Sequence, residues 1–173
     1  MGDYGFEGAG EFGGEDFPSE VVDNDFAPLK HLTKLHAIIP ERKIVPMQME
    51  YDTSFTVFPD HTNYNEPPSI FGGKMLAEMD NCAAMTARRA LYDSGCTDAI
   101  TVGVDNVAFH RPAYIGEIVH LHGRVIELGK KSIRVIVECT REDKKGSRLT
   151  MAKGLFTFCA RKDGVPSEHG LRL

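Results

Sequence analysis

Beyond Gly95 the chain is written almost entirely in strand. Four long runs, "AITVGVDNVAF", "EIVHLHGRVIEL", "SIRVIVECT" and "RLTMAKGLFTFCA", are rich in β-branched and aromatic residues. The segments between them, "HRPAYIG", "GKK" and "REDKKGS", are short. Short links join antiparallel neighbours, because a parallel pair needs a crossover of about a dozen residues. A fifth run comes earlier: Met47, Met49, Tyr51, Thr53, Phe55 and Val57 alternate with Gln48, Glu50, Asp52, Ser54 and Thr56. That two-residue period describes a half-buried strand. Between the fifth run and the other four lies "IFGGKMLAEMDNCAAMTARRAL", Ile70 to Leu91, with the spacing of one amphipathic helix. The helix is expected to stop near Ser94-Gly95, where glycine takes the left-handed position. The predicted fold is α+β: one long helix against the concave face of a curved antiparallel sheet of about five strands. Five strands cannot cover so apolar a helix on all sides, so a partner chain is expected to shield the remainder.

The 173 residues, 42% of them hydrophobic, suffice for one domain with a core. Charge is unevenly placed. Residues 1–26 hold eight acids (Asp3, Glu7, Glu11, Glu15, Asp16, Glu20, Asp23, Asp25) and no base, leaving 25 − 8 = 17 acids against 20 bases elsewhere. The folded part is therefore mildly basic, which suits an anionic small molecule and is too weak to argue for nucleic acid. Residues 1–26 read as an acidic, glycine-rich extension that buries too little to fold alone. Residues 27–45 read as a short helix and linker, with Leu29, Leu32, Leu35 and Ile39 on one side. Residues 46–162 form the sheet-and-helix domain, and residues 163–173 a C-terminal tail. Cys82, Cys96, Cys139 and Cys159 are scattered without a paired spacing, as reduced thiols would be. The N-terminus lacks the basic and apolar regions of a secretory signal, and Phe6 stands where myristoylation needs Ser or Thr. No run approaches the roughly 18 apolar residues of a membrane span. A cytoplasmic protein with no membrane or nucleic-acid partner is expected.

Asp80 breaks the pattern of the helix. Leu76, Ala83, Ala84, Ala87, Ala90 and Leu91 recur at three- and four-residue steps, and Asp80 falls among them. An acid on an apolar face is costly unless it is hydrogen-bonded, paired or kept for chemistry. Desolvation there would suit a general base or a nucleophile poised near neutrality. A plain structural acceptor fits the pattern equally well. The pair Gly72-Gly73 costs on the order of 1 kcal/mol per glycine inside a helix. At the first turn, however, it leaves backbone N–H groups approachable by an oxyanion or a carbonyl oxygen. Close packing of helix on sheet is the other use of such glycines. Gly72 and Asp80 are eight residues apart, about 12 Å along a helix. They cannot both touch one reacting carbon in a single chain, so a working site that uses both needs a dimer.

Taken together, "TNYNEPPSIFGGKMLAEMD", "VDNVAFHRPAYIGEIVHLHGRV", "ELGKKSIRVIVE" and "AKGLFTFCA" resemble the hotdog-fold acyl-CoA thioesterases of the acyl-CoA hydrolase subgroup. The likeness runs from about Met47 to Arg161. It implies a long helix wrapped by an antiparallel sheet, a homodimer, and often a trimer of dimers. It also implies hydrolysis of acyl-CoA to a carboxylic acid and CoA, with no cofactor beyond the CoA of the substrate. By this resemblance Asp80 matches the catalytic acid, as general base or as nucleophile. Asn63 matches an asparagine that positions water or the thioester carbonyl, and Gly72 and Gly73 match the amides beside that carbonyl. Gly129, Lys130, Lys131 and Ser132 match a turn that contacts CoA. Glu66-Pro67-Pro68 stands where members carry a shorter, glycine-containing link, so Asn65 is a substitute candidate for Asn63. The alternative reading is a non-catalytic hotdog module that binds acyl-CoA or serves assembly. A hotdog dehydratase needs a catalytic histidine in the cleft, and the helix offers none.

His120 and His122 share one face of a strand. No third metal ligand is visible in sequence, so they read as ordinary strand histidines and no metal site is expected. No nucleophile elbow, Walker loop or dinucleotide fingerprint occurs.

Overall fold

A computed structural model of the chain describes residues 49–142 and 146–173. The acidic extension and the short helix expected over 27–45 lie outside the described residues. The element order is β1 (Glu50–Thr56), α1 (Gly72–Ala90), β2 (Asp98–Phe109), β3 (Ile118–Leu128), β4 (Ser132–Glu142), β5 (Arg148–Lys162) and β6 (Val165–Pro166). All strand pairs are antiparallel, in the order β1-β3-β4-β5-β2, with the two-residue β6 added beside β5. Apart from β6, this is the architecture the sequence pattern predicts.

Alternation fixes which face of the sheet meets the helix. Val119, Leu121 and Val125 of β3, Val135, Val137 and Cys139 of β4, and Phe156, Phe158 and Ala160 of β5 are buried. The intervening His120, His122 and Arg124 stay half-exposed on the outer face. Helix α1 touches all five main strands and buries Met75, Met79, Cys82, Ala83, Thr86, Ala87 and Ala90. The buried residues of its C-terminal half are small because the sheet comes close there. A Cβ on Gly123 of β3 would overlap the Thr86 hydroxyl and sit 3.2 Å from Cys82 Sγ. The buried hydroxyl is itself satisfied, donating to the Cys82 carbonyl at 2.8 Å. Burial pushes the Cys82 and Cys139 thiols up to about 12, so both remain protonated core side chains at neutral pH.

Strand β2 differs from the rest. It ends the sheet, carries two register shifts, and leaves Ile100, Val102, Val104 and Phe109 exposed. Its sequence is that of a buried strand, yet one protomer gives it only one neighbour. Among the described residues, no helix is long and apolar enough to cross a membrane.

Candidate active site

Asp80 sits at the flank of the buried stripe rather than in its centre. The fully buried line of α1 runs through Met75, Met79, Cys82, Ala83, Thr86 and Ala87, whereas Leu76, Asp80 and Ala84 are only partly covered. That corrects the expected stripe by a fraction of a turn: Met75 and Met79 take central positions, Met79 reaching the sheet at Gly154 of β5. The carboxylate is held. Thr101 Oγ1, near the start of β2, donates to Asp80 Oδ1 at 2.9 Å. Thr101 was invisible to sequence reading, since its 21-residue separation from Asp80 corresponds to no periodicity. Only the reversal of α1 into β2 brings the two together.

The helix start leaves its first backbone amides without an intrahelical acceptor. Phe71 is the N-cap, with φ −67° and ψ 130°, and makes no side-chain cap; the first turn contains no acid. The first intrahelical bond runs from Met75 N–H to Phe71 O at 3.0 Å, so the amides of Gly72, Gly73 and Lys74 precede it. Those groups carry the positive end of the helix dipole. The preceding loop is pinned beside them: Phe71 N–H donates to His61 O at 2.9 Å and Asn63 N–H to Ser69 O at 3.0 Å. Asn63 is half-buried and Asn65 exposed. The two are tied to each other, Asn65 N–H donating to Asn63 Oδ1 at 3.2 Å. The structure thus places Asn63 and Asn65 in the loop that leads into the glycine pair.

The turn between β3 and β4 lies at the other end of the sheet. Ser132 opposes Cys159, and Cys159 opposes Ile100. The turn therefore shares a cross-strand row with the residue next to Thr101, two strand spacings or about 10 Å away. Gly72, by contrast, packs near Phe109 at the far end of β2. Asp80, Thr101 and the Gly129–Ser132 turn thus belong to one end of the protomer, and Gly72, Gly73, Asn63 and Asn65 to the other. Lys130 is exposed, and Lys131 Nζ donates to Pro166 O at 3.3 Å. Nearby, the Arg161 guanidinium beside Asp98 holds that carboxyl below its ordinary range, with help from the Ala99 amide and Arg88.

A cleft of about 800 Å³ opens on the outer sheet face, lined by Asp52, Ser54, His120, His122, Glu138 and Arg148 among others. It contains none of the residues above. His122 Nδ1 lies 2.8 Å from Asp52 Oδ1, and His120 Nε2 lies 3.9 Å from Glu142. Among the described residues, no group of three or more His, Cys, Asp or Glu is arranged to hold a metal ion.

The Thioesterase superfamily pattern matches residues 68–147, from the loop before α1 through β4. The chain is 32% identical to an uncharacterised acyl-CoA thioester hydrolase of Buchnera aphidicola over 111 residues, 61% of this chain and 79% of that protein. It is 30% identical to one of Zymomonas mobilis over 99 residues, spanning 57% of this chain and 64% of that relative's length. The fold aligns with an acyl-CoA hydrolase of Staphylococcus aureus solved with butyryl coenzyme A, coenzyme A and its disulfide: 28% identity, 70% of this chain, 71% of that one, TM-score 0.63. Forms of that enzyme were also solved with an asparagine, an aspartate or a threonine changed to alanine. A hexameric acyl-CoA thioesterase aligns equally well, at 28% identity over 70% of this chain and 75% of that one, TM-score 0.63. With the sheet order, the long helix packed against it and these matches in agreement, the chain belongs to the acyl-CoA thioester hydrolases of the thioesterase superfamily.

Proposed function

We propose that this protein hydrolyses acyl-CoA at a site shared by two copies of the chain, with Asp80 of one facing the Gly72-Gly73 amides of the other. The observation that carries the reading is the pairing of Asp80 with Thr101 at 2.9 Å, on an edge strand whose outer side is apolar and exposed in one protomer. Asparagine, aspartate and threonine are the residue types changed in the Staphylococcus aureus structures, and this chain offers Asn63 or Asn65, Asp80 and Thr101 in that order. Self-association is supported by the apolar edge of β2 and by the hexameric relative.

The chemistry follows from the groups. Asp80 takes a proton from water as its oxygen adds to the thioester carbon, or adds directly to give an anhydride that water then opens. Charge develops on the carbonyl oxygen, and the uncapped amides stabilise it most when that charge is greatest. The C–S bond breaks: on the first route the proton held by Asp80 passes to the departing CoA sulfur, and on the second the sulfur leaves as thiolate and is protonated when water opens the anhydride. Asn63 holds the water or the carbonyl, with Asn65 bracing its side chain. The Gly129–Ser132 turn receives the nucleotide end, Lys130 and Lys131 acting as point charges for phosphate. CoA is present only as part of the substrate.

Free thiol release from a panel of acyl-CoAs tests this reading directly. Asp80→Asn should abolish release while CoA still binds. If the unmodified protein binds acyl-CoA and releases no thiol, the chain is a binding module rather than an enzyme.

A further inference from the structure

We infer that His169 is a positioning residue for the CoA-binding turn, acting from the C-terminal segment that sequence alone reads as a tail. The inference rests on the proposed role of Gly129–Ser132. Beyond β6 the chain folds back over that turn, and His169 is buried with 3% of its surface exposed. Its three nitrogens are each bonded to backbone. Its N–H donates to Lys130 O at 3.2 Å. Nδ1 accepts the Leu171 N–H at 3.1 Å, so Nε2 carries the proton and donates to Ser132 O at 3.3 Å.

The neighbouring bonds complete a strap. Ala160 N–H donates to Lys131 O at 2.8 Å, Gly129 N–H to Ser132 O at 2.9 Å, and Ser167 N–H to Ala160 O at 3.0 Å. Lys131 Nζ reaches Pro166 O at 3.3 Å. The carbonyls of Lys130, Lys131 and Ser132 are thereby all engaged within the protein. A turn built to receive phosphate gains from this, because its negative dipole ends are occupied while the Lys130 side chain stays exposed. His169 ties Lys130 O through its main-chain N–H and, through its side chain, Ser132 O, which it shares with Gly129 N–H; it touches no substrate.

The test compares two thioesters with the same acyl group, butyryl-CoA and S-butyryl-pantetheine, which lacks the nucleotide. His169→Ala should raise KM for the CoA ester about tenfold, leave kcat within about twofold, and leave KM for the pantetheine ester unchanged. His169→Gln keeps an N–H donor for Ser132 O and should restore most of the CoA affinity. His169→Asn keeps an acceptor for the Leu171 amide, cannot span to Ser132 O, and should behave like alanine; it carries the test if the alanine variant does not fold. Equal changes for both esters, or none for either, would overturn the inference. The double variant Lys130→Ala/Lys131→Ala separates the two levels. If it raises KM for the CoA ester and the His169 variants do not, only the strap is wrong. Should the lysine variant leave that KM unchanged, the turn does not bind the nucleotide and the inference falls with that reading.

Discussion

Replacing Gly72 by proline removes one backbone donor from the helix start at little cost to the fold. Proline is favoured at the first helical position, where its missing N–H has no intrahelical acceptor. The residue before it must be extended, and Phe71 already has φ −67° and ψ 130°. A Cβ at Gly72 would meet only the Phe109 ring, at 3.9 Å, an ordinary contact. The melting temperature should therefore move by no more than about 2 °C, corresponding to under about 1 kcal/mol. If the Gly72 amide binds the developing oxyanion, the rate loss is far larger. Removing one such donor costs roughly 100- to 1000-fold in kcat, or about 2.7–4 kcal/mol. The Gly73 amide remains, so the lower end, about 100-fold, is expected. KM should change little, because the interaction strengthens as charge develops rather than on binding. Initial rates of CoA thiol release at saturating acyl-CoA measure the effect. Gly72→Ala, which keeps the amide, is the control and should stay near the unmodified rate. A folded Gly72→Pro protein with more than about half the original kcat would refute the role of this amide.

Thr101→Val keeps the shape of the side chain and deletes the donor to Asp80. A hydrogen bond to a charged group contributes about 1.5–3 kcal/mol. Thr101 is exposed in the single protomer, so about 1–2 kcal/mol is expected, a loss in kcat/KM of roughly 5- to 30-fold; unchanged kinetics would detach Thr101 from the chemistry. Gly123→Ala should destabilise the fold by about 1–3 kcal/mol through overpacking against Thr86. Thr86→Ala in the same chain should recover part of that loss in a thermal melt, and purely additive effects would contradict the contact. Asp98, held below its ordinary value of 3.8 chiefly by Arg161, lends stability above that pH and loses it as pH falls through the folded value. Asp98→Asn should melt lower than the unmodified protein at pH 7, with the gap closing below pH 3.8. A gap independent of pH would show that the charge is not its source.

Much of the architecture was legible because periodicity survives tertiary context. Residues alternating along β3 and β4 are local signals that the fold left intact; Gly95 is left-handed with φ 72° as expected, but the helix ends before it, at Ala90 with Leu91 as C-cap. What depends on long-range register was not legible. The Asp80–Thr101 pair needs the antiparallel course of α1 and β2 to exist. The burial of His169 needs the chain to cross back over a turn nearly forty residues earlier, so a polar, glycine-containing end read as a tail. Asp80 stands out in sequence because an acid among alanines is conspicuous. Its setting at the flank of the stripe was missed because i, i+4 spacing does not say which edge of a broad apolar face meets the sheet. The separation of Gly72 from Asp80, in contrast, followed from helix rise alone. In the structure the two groups lie toward opposite ends of β2, as that rise requires.

Mixed pairs of two inactive variants offer the sharpest test of the shared site. Gly72→Pro and Asp80→Asn chains, co-expressed with different tags and purified through both, give pairs in which one composite site keeps both an intact amide and an intact acid. Thiol release from these pairs should return to about half the unmodified rate, although each variant alone is nearly silent. Mixed pairs no more active than their parents would place both groups in the same chain's site, and the account would be wrong.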